Sequence, residues 1–258
     1  MENVKAKKHL GQHFLTDLNI AKKIVESLDE KHSDVLEIGP GMGVLTQYLV
    51  KKPGINLHLV DIDEESINYL NHHYPGLKGK IHFADYLKMN VSAILPDKYA
   101  VIGNFPYNIS SQIFFRVLEQ RAHVTQVVGM IQKEVAERIA APHGSKTYGI
   151  TSVLLQAFFD IKYLFTVNEN VFSPPPRVKS AVISMTPNGK TSLDCNEALF
   201  FQVVKTAFNQ RRKTMRNSLK SVEFNREAIT DNKVFDLRPE QLSVDDFIAL
   251  TKLIEINR

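Results

Sequence analysis

Four consecutive residues, Asn104, Phe105, Pro106 and Tyr107, combine an amide, two aromatic rings and a proline. The asparagine oxygen and a nearby main-chain carbonyl can each accept a hydrogen bond from an exocyclic amino group. Tyr107 can stack on a flat base, and the proline fixes the main chain without adding a donor. The motif therefore predicts a pocket for the amino group of a nucleobase, the alternative being a plain turn before a helix that begins at Ser110.

A second group of residues is typical of a nucleotide-like ligand. Three glycines alternate between Glu37 and Gly43, and such a turn lets a ligand approach the main chain closely. The spacing differs from the dinucleotide motif GxGxxG, and a tight turn without a ligand is the alternative. Asp61 ends the next apolar run, where a carboxylate can bind ribose hydroxyls. Asp85 ends the following run and can bind an adenine amino group or cap a helix. Together they predict a nucleoside-containing cofactor.

Basic residues are concentrated near both ends of the chain, although the formal net charge is only +4. Residues 1–23 hold five lysines against two acids, and residues 205–226 hold seven basic residues against one acid. We expect Lys5, Lys7 and Lys8 to form a mobile basic arm. This distribution suggests an anionic partner.

A helix predicted near 211–220 would carry most of the second basic segment. Arg212, Arg216 and Lys220 are spaced by four and would share one face of it, with Lys213 beside them. Such a stripe suits RNA phosphates, and a solvated helix face is the alternative.

The elements that must position these residues alternate between strands and helices over the first 187 residues, which indicates a parallel sheet covered by helices. Strands are predicted at 34–38, 55–61, 80–84, 99–103, 124–131, 160–167 and 178–185, and helices at 17–29, from 44, and at 64–74, 110–120, 132–140 and 150–158. The glycine turn, both acids and the 104–107 motif all follow strands, so they are expected at one crevice. The last two strands have no helix between them and can form an antiparallel hairpin at the sheet edge.

The pattern changes after residue 187. Residues 187–196 read as a linker, and from residue 197 the apolar residues recur at helical spacing. We therefore predict an α/β domain over 1–187 and a small all-helical domain over 188–258.

Composition and cysteine content exclude several classes of protein. One cysteine in 258 residues cannot form an internal disulfide, which favours a reducing compartment. The N-terminus lacks the apolar stretch of a signal peptide, and no apolar run reaches the ~18 residues of a membrane span. The nine histidines show no metal-ligand spacing, and no nucleophile motif is present. We expect a cytoplasmic monomer without a metal or a membrane association.

Six segments resemble the family of ribosomal RNA adenine N6,N6-dimethyltransferases, in order along nearly the whole chain. They are GQHFL at 11–15, EIGPGMG at 37–43, NFPYN at 104–108, IQKEVAERI at 131–139, FSPPPRVKSAV at 172–182 and AFNQRRKTMRNSLK at 207–220. The last two are more similar to the small-subunit enzymes than to the erythromycin-resistance enzymes, which modify large-subunit RNA.

This resemblance implies S-adenosylmethionine as cofactor, bound by a seven-stranded Rossmann-like domain that precedes a helical domain. It places the following residues around the cofactor: Gln12, His13, Leu15, Glu37, Gly39, Gly41, Asp61, Ile62, Asp85 and Asn104. His13 stands where the family often has asparagine, Asp61 where it often has glutamate, and Phe105 where it often has leucine. The first two departures keep their hydrogen-bonding capacity, so we expect cofactor binding to persist.

The methyl group of a sulfonium is already activated, so transfer to adenine N6 needs alignment more than acid–base catalysis. Hydrogen bonds from N6–H to Asn104 and to a carbonyl at 105–106 should localise the lone pair of N6. Tyr107 and Phe172 are expected to sandwich the flipped adenine. The predicted substrate-binding set is Phe105, Pro106, Arg212, Lys213, Arg216 and Lys220.

The resemblance thus predicts dimethylation of two adjacent adenosines near the 3′ end of small-subunit (16S) rRNA, with a possible role in assembly of that subunit. Three alternatives remain open: adenine-N6 methylation of large-subunit rRNA or of DNA, a mainly non-catalytic ribosome-assembly factor, and a nicotinamide oxidoreductase. The missing GxGxxG argues against the last of these.

Overall fold

The computed structural model describes residues 4–225, 227 and 231–258. Residues 1–3, 226 and 228–230, which belong to the predicted basic segments or helical domain, lie outside the described residues. The strands are β1 (Phe14–Leu15), β2 (Asp34–Ile38), β3 (Asn56–Asp61), β4 (Ile81–Phe83), β5 (Tyr99–Asn104), β6 (Val124–Gln132), β7 (Phe159–Val167), β8 (Phe172–Ser173) and β9 (Ser180–Pro187). The helices are α1 (Leu18–Glu26), α2 (Thr46–Leu49), α3 (Glu64–His73), α4 (Ser110–Glu119), α5 (Lys133–Ile139), α6 (Ile150–Gln156), α7 (Glu197–Asn209), α8 (Met215–Ser218) and α9 (Val244–Ile256).

Seven strands of the described chain form one sheet in the order β4-β3-β2-β5-β6-β9-β7. Neighbouring strands from β4 to β6 run parallel, and β9 is antiparallel to β6. The central strands are nearly continuous buried runs, as expected when helices cover both faces of a sheet. The predicted Rossmann-like α/β domain is confirmed. The last two predicted strands are neighbours, and β9 lies between β6 and β7.

The helix boundaries follow local capping chemistry. The carboxylate of Asp17 accepts hydrogen bonds from the main-chain N–H groups of Asn19 and Ile20 and so begins α1. Asp63 begins α3 in the same way, by accepting from the N–H of Glu65. The helix predicted from residue 44 begins two residues later, because turns occupy residues 41–45, and it spans Thr46–Leu49.

A two-stranded antiparallel sheet of β1 and β8 was not predicted from the sequence. Phe14 pairs with Ser173, and Leu15 pairs with Phe172. The side chains of Leu15 and Phe172 are buried in the same apolar core as the inner faces of β2 and β3. This small sheet fixes where the N-terminal segment runs.

The chain divides into two structural units. One comprises residues 1–136 and 161–187, and the other comprises residues 137–160 and 188–258. In the second unit, α6 packs on α7 and α9. The boundary near residue 187 is the one that the sequence predicts, but residues 137–160 group with the C-terminal helices and not with the domain of 1–187. No helix of the described residues is long and apolar enough to cross a membrane.

Candidate cofactor and adenine site

A cavity of about 190 Å³ opens in the first unit, at the carboxyl ends of β2, β3 and β5. This is where ligands bind in open α/β sheets. Most of the predicted site residues of this unit lie together in its wall: Gln12, His13, Gly39, Gly41, Asp61, Ile62, Asp85, Asn104, Phe105, Pro106 and Tyr107. Residues that the sequence pattern groups together therefore line one cavity in the structure.

The glycine turn after β2 forms one side of the cavity. Gly39 has a φ of 67° and Gly41 a φ of 54°, which are left-handed values that favour glycine. A Cβ at Gly41 would also lie 2.8 Å from Cε1 of Phe14. Since both positions favour glycine, the main chain itself is the surface presented to a ligand.

Asp61, at the end of β3, is 7% exposed and points its carboxylate at the turn. It accepts hydrogen bonds from the N–H of Gly41 at 3.2 Å and of Asp63 at 2.9 Å. Burial raises the pKa of Asp61, and these N–H groups oppose that shift. Asp85 is less buried and accepts from the N–H of Leu87 at 3.0 Å. Each carboxylate thus keeps a fixed orientation with acceptor capacity left for a ligand.

Glu37 and Leu15 do not line the main cavity. They lie on a smaller adjoining cavity, which Gly39 and Asn104 also line. The Glu37 carboxyl is buried and accepts a hydrogen bond from Oγ1 of Thr46 at 2.7 Å. Burial raises the pKa of Glu37 to about 8. The carboxyl is therefore mostly protonated at neutral pH.

Asn104 joins the two cavities and has a defined orientation. Its Nδ2 donates to the main-chain carbonyl of His13 at 2.9 Å. Because the amide uses its donor group there, its oxygen remains as an acceptor. His13 is held in turn by a contact of 2.8 Å between its Nδ1 and the carbonyl of Pro174. The histidine at position 13 thus keeps this main-chain carbonyl in place for the amide.

The two aromatic residues of the 104–107 motif have different environments. The Phe105 ring is fully buried against Phe114, so this residue can meet a substrate only through its main chain. Tyr107 is half-buried, and its hydroxyl lies 2.5 Å from Oγ of Ser180. The ring of Tyr107 lies 5.4 Å from that of His13. Only Tyr107 of the two presents a ring to the cavity.

Two glycines under the Phe105 ring were not predicted as site residues from the sequence. Gly103 and Gly129 are paired on β5 and β6, and Cβ atoms there would lie 2.8 and 2.6 Å from the Phe105 ring. Glycine within a strand signals such a close approach and could have identified them.

The structure does not bring Phe172 together with Tyr107. Phe172 is 4% exposed, pairs with Leu15 and packs in the core. The cavity wall, within the described residues, does not include it. The predicted aromatic sandwich around adenine is therefore not formed in this conformation.

Lys7 of the predicted mobile arm is anchored, whereas Lys5 and Lys8 are exposed. Nζ of Lys7 forms an ion pair with Asp63 and lies 3.1 Å from Oε1 of Glu65. Gln12 donates to the other oxygen of Asp63 at 3.1 Å. We call residues 7–13 the strap, since they run along the cavity wall. An isolated lysine gives no sequence signal for a partner that lies 56 positions away.

The basic helix predicted near 211–220 is wrong. Residues 210–213 form turns and a bend, and α8 spans only Met215–Ser218. Thr214 is extended, with a ψ of 159°, and this breaks the helical path. Met215 and Leu219 are fully buried, so they anchor the segment instead of facing solvent.

The predicted basic residues therefore do not form one stripe. Arg212 and Lys213 are exposed and line an open concavity after α7, and Lys220 is exposed beyond α8. Arg216 differs, because it bonds to Asp236 at 3.1 Å and lies over the ring of Phe235.

Solved structures share this fold. A dimethyladenosine transferase from Plasmodium falciparum superposes with a TM-score of 0.78 at 24% identity, covering 95% of this chain and 97% of that one. The 23S rRNA methyltransferase ErmE superposes with a TM-score of 0.69 at 24% identity, covering 92% and 99%.

Sequence comparison extends the likeness along the chain. The model of the ribosomal RNA adenine dimethylase family matches residues 3–255. A protein named ribosomal RNA small subunit methyltransferase A from Flavobacterium johnsoniae is 60% identical over 257 residues, covering 99% of this chain and 98% of that one. Its namesake from Cytophaga hutchinsonii is 57% identical over 256 residues, covering 98% and 99%. The chain therefore belongs to the ribosomal RNA adenine dimethylase family.

Proposed function

We propose that the protein transfers methyl groups from S-adenosylmethionine to N6 of two adjacent adenosines near the 3′ end of small-subunit rRNA. The product is N6,N6-dimethyladenosine. The observation that carries this proposal is the orientation of Asn104, whose Nδ2 donates to the His13 carbonyl and whose oxygen is left as an acceptor. This acceptor lies in the same cavity wall as the glycine turn and Asp61.

The residues of the cavity fit S-adenosylmethionine. Gly39 and Gly41 leave the main chain open to the ligand, and Asp61 can accept hydrogen bonds from ribose hydroxyls. Ile62 is half-exposed beside it and offers an apolar surface to the adenine ring of the cofactor. When bound, the cofactor supplies a sulfonium methyl group as the electrophile.

Adenine N6 is a weak nucleophile because its lone pair is delocalised into the ring. The Asn104 oxygen and a main-chain carbonyl at 105–106 accept the N6–H groups and localise that pair toward the methyl group. Tyr107 stacks on the flipped base, which is worth about 1–3 kcal/mol. The ring of Phe172 would complete a sandwich only after leaving the core. The displaced proton passes to solvent.

The small-subunit substrate is favoured over large-subunit rRNA or DNA by the relatives, which are 53–60% identical and are named for that subunit. Arg212, Lys213 and Lys220 are exposed and suit RNA phosphates. Arg216 would contribute less, because Asp236 already pairs with it.

The test is transfer of radiolabelled methyl groups from S-adenosylmethionine to small ribosomal subunits that lack their adenine methylation. Large subunits and duplex DNA are assayed in parallel. Label recovered as N6,N6-dimethyladenosine from the small subunits alone is expected. Label on large subunits or DNA would overturn the substrate assignment, and no label on any of them would overturn the proposed activity.

An Asn104→Ala variant tests the role of the amide in the same assay. Removing one oriented hydrogen-bond partner of the reacting group is expected to lower kcat by about 10²–10³. Circular dichroism and the thermal unfolding midpoint serve as the control for folding. Turnover at the wild-type rate would refute the role given to Asn104.

A further inference from the structure

The strap forms a continuous part of the cavity wall through Leu10, Gly11, Gln12 and His13. A short 3-10 turn at Lys8–Leu10 ends at Gly11, which has a φ of 67°. A Cβ at Gly11 would lie 2.6 Å from Oδ1 of Asn108, so the strap sits directly on the loop after the 104–107 motif. Displacement of the strap away from this loop would open the cavity on that side.

The Asp63 carboxylate binds two residues of the strap. Nζ of Lys7 contacts Oδ1 of Asp63, and Nε2 of Gln12 donates to its Oδ2 at 3.1 Å. The main-chain N–H of Lys7 donates to Oε1 of Gln12 at 2.8 Å, which closes the loop on itself. Asp63 is 1% exposed, so its charge depends on these partners and on Ser66.

Asp63 in turn connects the strap to the residues that face the ligand. It follows Asp61 and Ile62, both of which line the cavity. The N–H of Asp63 donates to Oδ1 of Asp61 at 2.9 Å, and Oδ2 of Asp61 accepts from Gly41. A single residue, Asp63, therefore connects Lys7 to the Asp61 carboxylate, which is proposed to bind ribose.

We propose that Lys7 is a positioning residue for the cofactor, because its ion pair with Asp63 holds the strap against the cavity and fixes the turn that carries Asp61. This inference rests on the proposed function. Lys7 acts through Asp63 and need not touch the ligand. The other end of the strap is held independently, by Asn104 on the His13 carbonyl and by the pairing of Phe14 with Ser173.

The test measures binding of S-adenosylmethionine by isothermal titration calorimetry without RNA. Lys7→Met is expected to raise Kd by about ten-fold, equivalent to about 1.4 kcal/mol. Lys7→Arg keeps the charge and should restore most of the affinity.

Because the His13 end of the strap stays in place, kcat at saturating cofactor should change far less than KM for the cofactor. A purely structural role would instead lower both the active fraction and the unfolding midpoint, without this split.

Lys8→Met is the matched control, because Lys8 is exposed and forms no ion pair with the described residues. It removes the same charge from the same segment. Asp63→Asn keeps an acceptor at the start of α3 but removes the charge that pairs with Lys7. It should therefore weaken cofactor binding as Lys7→Met does. The double variant should bind no more weakly than either single variant. Equal Kd values for Lys7→Met and Lys8→Met would overturn the inference. Absence of binding by the wild-type protein would instead overturn the proposed function.

Discussion

Two buried carboxyl groups near the cavity differ in charge because of their hydrogen-bond partners. Glu37 and Asp63 are each 1% exposed. Burial opposes ionisation of Asp63, but Lys7, Gln12 and Ser66 outweigh it, so the pKa of Asp63 is lowered. Glu37 has the hydroxyl of Thr46 as its hydrogen-bond partner, and burial raises its pKa to about 8. A cation and two neutral donors thus decide which acid is charged.

The raised pKa of Glu37 predicts a pH-dependent stability. The folded protein holds this proton more tightly than the unfolded chain, in which the pKa is near 4.5. The stabilisation is fully present below about pH 4.5 and is lost as the pH rises through about 8. At about 1.4 kcal/mol per pKa unit, the loss amounts to a few kcal/mol.

Glu37→Gln keeps an acceptor for Thr46 but has no proton to lose. Its free energy of unfolding in urea, relative to wild type, should rise steadily between pH 5 and pH 8.5. The raised pKa of Asp61 contributes in the same direction in both proteins, so the difference between them reports mainly on Glu37. Parallel pH profiles of the two proteins would show that Glu37 is already ionised in the folded state.

The chemical types of the site residues could be read from the sequence, but their surroundings could not. Acids and an amide that follow strands predict one crevice, and Asp61, Asp85 and Asn104 do line one cavity. The burial of Phe172 depends on its pairing with Leu15, which is remote in the chain. Long-range pairing of this kind leaves no periodic signal in the sequence.

At the scale of elements, β5 and β6 together make a flat seat for the ring of Phe105. Gly103 and Gly129 lie side by side on these strands, and the N–H of Phe105 donates to the carbonyl of Met130 at 3.0 Å. This contact extends the pairing of the strands into the loop that follows Asn104. The position of the amide therefore depends on the absence of side chains beneath the ring.

Gly129→Ala tests that dependence. The new Cβ would lie 2.6 Å from Cε2 of Phe105, so the ring must move and take the neighbouring loop with it. We expect a loss of about 1–3 kcal/mol of stability, as for other overpacked cores, together with a fall in kcat. Chemical unfolding and the methyl-transfer assay measure the two effects.

A second substitution and a control make this prediction specific. Phe105→Leu removes the ring atoms that collide with the new methyl group, so the double variant should recover stability relative to Gly129→Ala. Gly76→Ala is the control, because a Cβ at Gly76 would meet no atom within 4 Å. If the double variant were as unstable as the sum of its single changes, the proposed collision would not be the cause.

The long strands and helices were predictable because their apolar periodicity is local. The elements that were predicted wrongly are short, and contacts with distant residues set their conformation. Met215 and Leu219 are fully buried, and the N–H of Met215 donates to the carbonyl of Leu237. These contacts anchor α8 as a single turn, although residues 211–220 alone have the spacing of a longer basic helix.

At the scale of the whole molecule, the second unit is assembled from two separate stretches of chain. The ring of Tyr148 meets the ring of Phe208 at 6.0 Å, edge to face. Arg211 donates to the carbonyl of Ser145 at 3.2 Å, and the N–H of Gly144 donates to the carbonyl of Glu240. A division of the sequence at residue 187 cannot anticipate this, because the contacts join residues about 60 to 100 positions apart.

The turn after α7 gives this unit a positive surface, and its role in RNA binding makes a quantitative prediction. Each phosphate contact contributes about 0.7–0.9 to the slope of log K against log salt concentration. A variant with Arg212→Ala and Lys213→Ala should therefore bind small ribosomal subunits more weakly, with a slope lower by about 1.4–1.8. Lys98→Ala with Lys162→Ala removes the same charge from exposed positions of the first unit and controls for net charge. If both double variants change the slope equally, the basic turn is a solvated surface and general attraction accounts for binding. A reduced slope for the first alone assigns the phosphate contacts to the turn.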